Sequence, residues 1–210
     1  MSQLKFNTLQ GVGNVVRVQQ PNTLYAPGHI VNVSYTVAMQ RAYYQAPNQD
    51  GGYRDDYSGG PGGDLRGGQW QQGGNIVRPL DVTITPSSVN SWIFVEFNVF
   101  YECPNDVVFT ILRDGQLVGA QWGSGYDEGR WNGAGSGRYD NNNDSTPDYI
   151  NLPWIDRPGT LEPVTYSFAV KSSNGSNQDF ILNATFSNYL NGSDNYEQGV
   201  SFAIAKEIAY

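Results

Sequence analysis

The segment from Trp92 to Tyr101, WIFVEFNVFY, restricts the fold of this 210-residue chain more than any other stretch. Successive side chains of a strand point to opposite faces. Ile93, Val95, Phe97, Val99 and Tyr101 therefore share one face, while Trp92, Phe94 and Phe100 share the other. A strand that is apolar on both faces must be covered on both. In a two-layer fold one face meets the core, so the second needs an inserted loop or another subunit. This predicts an oligomer.

The same period of two runs through the rest of the chain. Val31, Val33, Tyr35 and Val37 alternate with Asn32, Ser34 and Thr36, the signature of a half-buried strand. Leu80, Val82 and Ile84 repeat it before Pro86-Ser87-Ser88. Residues 107–113 and 116–120 flank Asp114-Gly115, which favours a type I′ hairpin. Val164, Tyr166, Phe168 and Val170 lead to an Asn174-Gly175 turn, and Phe180, Leu182, Ala184 and Phe186 follow it. The last strand carries Val200, Phe202, Ile204 and Ile208. No segment has a convincing helical period. Roughly eight to ten short strands between turn signals predict an all-β fold, an antiparallel, jelly-roll-like β-sandwich over residues 29–210.

Two segments, about 45–78 and 121–153, break this rhythm and hold most of the 25 glycines. They read as long Gly-rich loop insertions, a kind of segment that is usually functional or disordered. Residues 1–28 place Leu4, Phe6, Val15, Val16 and Val18 between glycines and prolines. They form either an extended arm for attachment or one or two further strands.

Composition limits what such a sandwich can do. The chain is too rich in apolar (39%) and aromatic (13%) residues to be disordered. Its net charge of −8 argues against a nucleic-acid partner, which needs clustered Lys and Arg. Met1 to Phe6 offers no apolar run for a signal peptide or membrane insertion. The single Cys103 cannot form an internal disulfide, which fits folding in a reducing cytoplasm. The N-x-S/T triplets at Asn32, Asn143, Asn174, Asn183 and Asn191 then read as products of a Ser/Asn-rich surface.

Catalytic sets are thin. His29, the sole histidine, lies beside Gly28 at a strand start, and no G-x-S-x-G elbow accompanies it. No Cys or His pair has zinc-binding spacing. Asp127 and Glu128, among Trp122, Tyr126 and Trp131, are the best paired acids for glycoside hydrolysis. Adjacent acids on a Gly-rich loop are usually solvated, so the expectation is that the chain is not an enzyme. Asp140, Asn142, Asp144 and Asp148 place oxygen ligands at loop positions one, three, five and nine, as a Ca2+ loop does. Ser145 replaces the usual glycine and Asn151 the usual glutamate. This is a candidate calcium site in a chain that requires no cofactor. Trp70, Trp122, Tyr126, Trp131 and Tyr139 sit among Gly, Asn and Gln, a composition suited to a ligand or receptor surface for sugars or proteins. The same aromatics could instead pin the loops to the sandwich.

Several stretches also resemble one family. Met1 to Gln10 resembles the opening of marine bacteriophage fibre proteins, and Gly28-His29-Ile30-Val31-Asn32-Val33 looks like the strand that follows it in them. Val82 to Ser88 with Ser91 to Val95, Asp156 to Thr160 with Val164-Thr165-Tyr166, and the ending Ser201 to Ala209 are similar to later motifs, in the same order. Trp92 stands where a lysine is usual, and the two insertions have no counterpart in compact members. The resemblance implies a virion structural protein without enzyme activity: a trimeric jelly-roll tail-fibre tip, appendage or head decoration, similar in shape to the tumour-necrosis-factor and C1q group. On that basis the chain is expected at the virion surface. It would form a homotrimer through Trp92, Phe94 and Phe100, with other virion proteins and host surface polysaccharide as further partners. The alternatives are a free carbohydrate-binding, lectin-like module and, less favoured, a polysaccharide depolymerase.

Overall fold

The computed structural model describes residues 27–46, 74–119, 133–139, 145–173, 176–192 and 195–210. Twelve strands lie within these: β1 (Ile30–Ala38), β2 (Ala42–Ala46), β3 (Asn75–Ile76), β4 (Val82–Ile84), β5 (Trp92–Glu102), β6 (Val107–Arg113), β7 (Gln116–Gly119), β8 (Gly135–Ser136), β9 (Asp148–Asp156), β10 (Val164–Ser172), β11 (Gln178–Leu182) and β12 (Ser201–Ile208). They form two antiparallel sheets. In the first, β1 pairs with β12, β12 with β5, and β5 with β9, while β11 pairs with both β5 and β2. Tyr101 pairs with Asp148 on one side and Leu182 on the other, so β11 takes over the edge of β5 that β12 leaves. In the second, β10 pairs with β6, β4 and β3 line the far edge of β10, and β7 and β8 line the far edge of β6. The chain passes repeatedly from one sheet to the other, as a jelly-roll-like sandwich requires.

The core lies between the sheets. Ile93, Val95, Phe97, Val99 and Tyr101 of β5 face Phe109 and Ile111 of β6 and Tyr166, Phe168 and Val170 of β10, all buried. Phe168 sits at its centre, with ring centroids 5.9 Å from Phe97 and 5.1 Å from Phe109, and Tyr101 stacks on Phe180 at 5.2 Å. Burying each such side chain contributes about 1.5–3 kcal/mol. The turn at Asp114 and Gly115 has φ values of 50° and 79°, both left-handed, as a type I′ hairpin needs.

Four expectations are corrected. First, a helix exists: α1 (Phe186–Asn191) begins where Thr185 accepts a hydrogen bond from the Asn188 amide. The strand expected over residues 180–186 stops at Leu182, because Asn183 turns to φ 61° and its buried side chain donates to the Ala38 and Gln40 carbonyls. Second, Leu80 lies in one 3₁₀ turn, Arg78–Leu80, rather than in the strand of Val82. Third, both loop insertions are shorter than their pattern implied. Residues 45–46, 75–76 and 78 belong to β2, β3 and that 3₁₀ turn, and β8 and β9 occupy part of 121–153. Fourth, the apolar face of β1 does not enter the core. The Asn174-Gly175 turn and all but Pro27 and Gly28 of the proposed arm lie outside the described residues.

Candidate assembly surface

Paired residues of antiparallel strands share a face, so the registers define the outer surface of the first sheet. Tyr35 pairs with Ile204, which pairs with Glu96, which pairs with Pro153. On one side the row is Val37, Phe202, Asn98 and Asn151, and on the other Val33, Lys206, Phe94 and Ile155. Ile30, Ile208 and Trp92 form the row beyond Val33.

Burial fixes which way these residues point. On β12 the inward residues are Ser201, Ala203, Ala205 and Glu207, all buried, while Phe202, Ile204 and Ile208 turn outward. On β1 the inward Thr36 donates from Oγ1 to the Asp81 carbonyl at 2.8 Å, and Asn32 donates from Nδ2 to the Thr85 carbonyl at 3.1 Å. Its larger apolar residues face away: Val33 is 52% exposed, Tyr35 71% and Val37 44%. Tyr149 and Ile155 of β9 are also exposed. The outer face of the second sheet is the opposite, since Val108, Thr110, Leu112, Ser167, Ala169 and Lys171 are all buried.

A polar seam crosses the apolar face. Glu96 Oε1 accepts from Asn151 Nδ2 at 2.7 Å and Asn98 Nδ2 at 3.1 Å. Asn98 Oδ1 accepts from Tyr149 Oη at 2.6 Å and Asn151 Nδ2 at 2.8 Å. Lys206 Nζ lies 4.0 Å from Glu96 Oε2 and 5.4 Å from the centre of the Phe94 ring. The bond from Asn98 chiefly holds the Glu96 carboxyl below its ordinary range, aided by Asn151 and Lys206 and opposed by partial burial. Burial, then the Glu96 charge, raises the Tyr149 hydroxyl. At the rim, the Arg157 guanidinium sits 5.9 Å from the Trp92 ring centre and 5.3 Å from that of Tyr210, with Nη2 donating to Asn90 Oδ1 at 2.8 Å. Each such cation–π contact is worth about 0.5–1 kcal/mol at an exposed site.

The far end of the face is closed by the chain itself. Ile181, Ala184 and Phe186 form a small buried cluster with Tyr43 and Tyr189. Glu102, also buried, accepts from the Phe186 and Thr146 amides. Gly199 packs so closely on Phe100 that a Cβ there would lie 2.3 Å from the ring.

The predicted residues therefore separate. Trp92 and Phe94 are half-buried on the open part of the face, whereas Phe100 is half-buried against Gly199 at its closed end. Asp148 opens β9, paired with Tyr101 on the core side. Tyr139 is exposed beyond β8. Asp140, Asn142, Asp144, Trp70, Trp122, Tyr126, Trp131, Asp127 and Glu128 lie outside the described residues. Among the described residues no group of three or more His, Cys, Asp or Glu could hold a metal, and no helix is long and apolar enough to cross a membrane. Sequence reasoning missed the contribution of β9, with Tyr149, Asn151 and Ile155. Its alternation of Ile150, Leu152 and Trp154 against those residues was the available signal, masked by Pro153.

No protein-family model matches the chain, and no curated protein matches it. Among solved structures it is similar to the VP2 subviral particle protein of infectious bursal disease virus. The identity is 8% and the TM-score 0.31, over 93% of this chain and 42% of that one. The chain thus spans about two fifths of the length of that protein. A likeness this distant assigns no function. The sandwich is established by the strand pairings themselves.

Proposed function

We propose that this chain is a bacteriophage virion structural protein that assembles with copies of itself, as a homotrimer, through the open face of β1, β12, β5 and β9. One observation carries the reading: β12 buries its small or polar residues Ser201, Ala203, Ala205 and Glu207, β1 leaves Val33, Tyr35 and Val37 exposed, and the two strands turn their large apolar side chains to the same outer face. A strand register slipped by one residue would reverse this, yet the β1–β12 ladder holds it from Asn32 to Ala38, beyond a register shift at Val31, and the β12–β5 ladder holds it from Phe202 to Ile208. Contiguous exposed apolar surface marks an interaction site. The motifs shared with phage fibre proteins supply the setting, a tail fibre, appendage or head decoration, with the loop-bearing end turned to host polysaccharide or neighbouring virion proteins.

Sedimentation equilibrium of the purified chain at micromolar concentration tests this. The expected result is a species of three times the 23.2 kDa chain mass. A monomer at every concentration overturns the assembly reading. Mass spectrometry of purified virions tests the setting, and absence of the chain from them overturns it.

A further inference from the structure

The open face carries its charges in an unusual way. The chain has a net charge of −8, so two copies repel over most approaches. Among the described residues, the outward positions of β1, β12, β5 and β9 carry only two charges, Glu96 and Lys206. Asp148, Asp156 and Glu207 pair on the inward side, and Glu102 lies buried near α1. Glu96 and Lys206 stand on adjacent strands 4.0 Å apart, in the middle of apolar side chains. The remaining polar groups of the seam, Asn98, Asn151 and Tyr149, already bond to each other and to Glu96. Water over an exposed sheet would satisfy these groups without such a network. A dry contact with a neutral, apolar surface would not. A second copy of this chain, whose corresponding surface is equally neutral and apolar, is the partner whose charge and polarity match.

We infer that the Glu96–Lys206 pair and its amide seam are the polar specificity element of the contact between copies, holding the face charge-neutral so that it can be buried against another copy. The inference rests on reading this face as the assembly surface. Burial of the face desolvates both charges, and each is then tolerated only while the other is present. Removing one leaves the other buried and unpaired. Removing both leaves a neutral apolar face that still assembles.

The groups around Glu96 give the inference a pH dependence. Facing it are Lys206 and Ile204 from β12, Asn151, Pro153 and Tyr149 from β9, and Asn98 from its own strand, with Tyr35 of β1 beyond Ile204. Lys206 is the only cation among them. Protonating Glu96 strands Lys206 in the contact. Assembly should hold in full at neutral pH and weaken as pH falls below the ordinary carboxylate range.

The test compares the full-length chain with Glu96→Gln, Lys206→Met and the double variant by sedimentation equilibrium, with no polysaccharide or other protein present. Each single variant should weaken assembly by roughly a hundredfold, the scale expected for orphaning a buried charge. The double variant should recover most of that loss and lack the wild-type weakening at acid pH. Melting of each variant in a monomeric Tyr35→Glu background controls for folding and should be unchanged. Wild type that assembles while both single variants assemble equally well, or losses that simply add in the double variant, overturns the inference and leaves the assembly reading standing. Wild type that stays monomeric overturns both.

Discussion

Tyr35 and Ile204 stand directly opposite each other on β1 and β12, with both side chains turned away from the core. A cross-strand pair of this kind stabilises a sheet by about 0.2–1 kcal/mol, far less than either side chain would contribute if buried. Tyr35→Glu should therefore change the stability of an isolated chain by no more than about 0.5 kcal/mol. It should abolish self-association, because a charge enters an apolar contact. Chemical denaturation and sedimentation of the same sample separate the two effects.

Gly199 is held against the ring of Phe100 with no room for a side chain. Gly199→Ala should destabilise the fold by about 1–3 kcal/mol, the usual cost of overpacking. Adding Phe100→Leu should return part of that loss, since the clash is with the ring itself. Thermal unfolding of the two single variants and the double variant measures the coupling.

Glu102 ties the start of α1 to the segment before β9 by accepting from the Phe186 and Thr146 amides. Glu102→Leu removes both acceptors, and each buried donor left unsatisfied costs about 1–3 kcal/mol. Urea unfolding should show a loss at the upper end of what single substitutions cause. Hydrogen exchange should show the Phe186 amide losing protection first.

Two buried tyrosines should respond oppositely to loss of the hydroxyl. Tyr166 Oη donates to Asp156 Oδ2 at 2.8 Å, and the same oxygen is 2.7 Å from Arg113 Nη1. Tyr44 Oη is buried without a hydrogen-bond partner among the described residues. Tyr166→Phe should cost about 1–3 kcal/mol because it leaves a charged network short of a donor. Tyr44→Phe should be neutral or stabilising. Burial raises both hydroxyls above the ordinary tyrosine range, with Asp156 adding to the effect at Tyr166 and Asp81 at Tyr44. A raised folded value favours the neutral form, so this contribution is complete below about pH 10 and declines as pH rises beyond it. Melting temperature measured from pH 8 to 11 should fall at the alkaline end, and less steeply in Tyr44→Phe.

Lys171 shifts the other way. Burial on the outer face of β10 lowers its amine to about 8. The unfolded chain keeps its proton to a higher pH, so the native state loses the proton first. Stability should rise with pH from about 8 toward the ordinary lysine value near 10.4. Lys171→Met should flatten that rise in the same melting series.

How far the fold could be read from residues depends on what the alternation pattern encodes. It places β5, β6 and β10 correctly, because their apolar residues are the core, and Asp114-Gly115 locates a hairpin by backbone conformation alone. It gives the right period and the wrong side for β1. A period of two identifies the face that avoids water but not the surface that covers it, and Val33, Tyr35 and Val37 have no covering layer within the described chain. In β9, Pro153 reads as a break, although proline is compatible with an edge strand. The helix α1 was hidden by its length, six residues being too few for a helical period to register. The Glu96–Lys206 pair was illegible for a different reason: the two are 110 positions apart in sequence and meet only through the β5–β12 register.

Pro153 has a further consequence. It pairs with Glu96 on β5, and no other strand pairs with β9 among the described residues. Having no amide hydrogen, proline can occupy this position only where its nitrogen points away from β5, toward the open margin of the sheet. An incoming strand would find a missing donor there, midway along β9. Growth of the sheet by strand addition is therefore disfavoured at that margin.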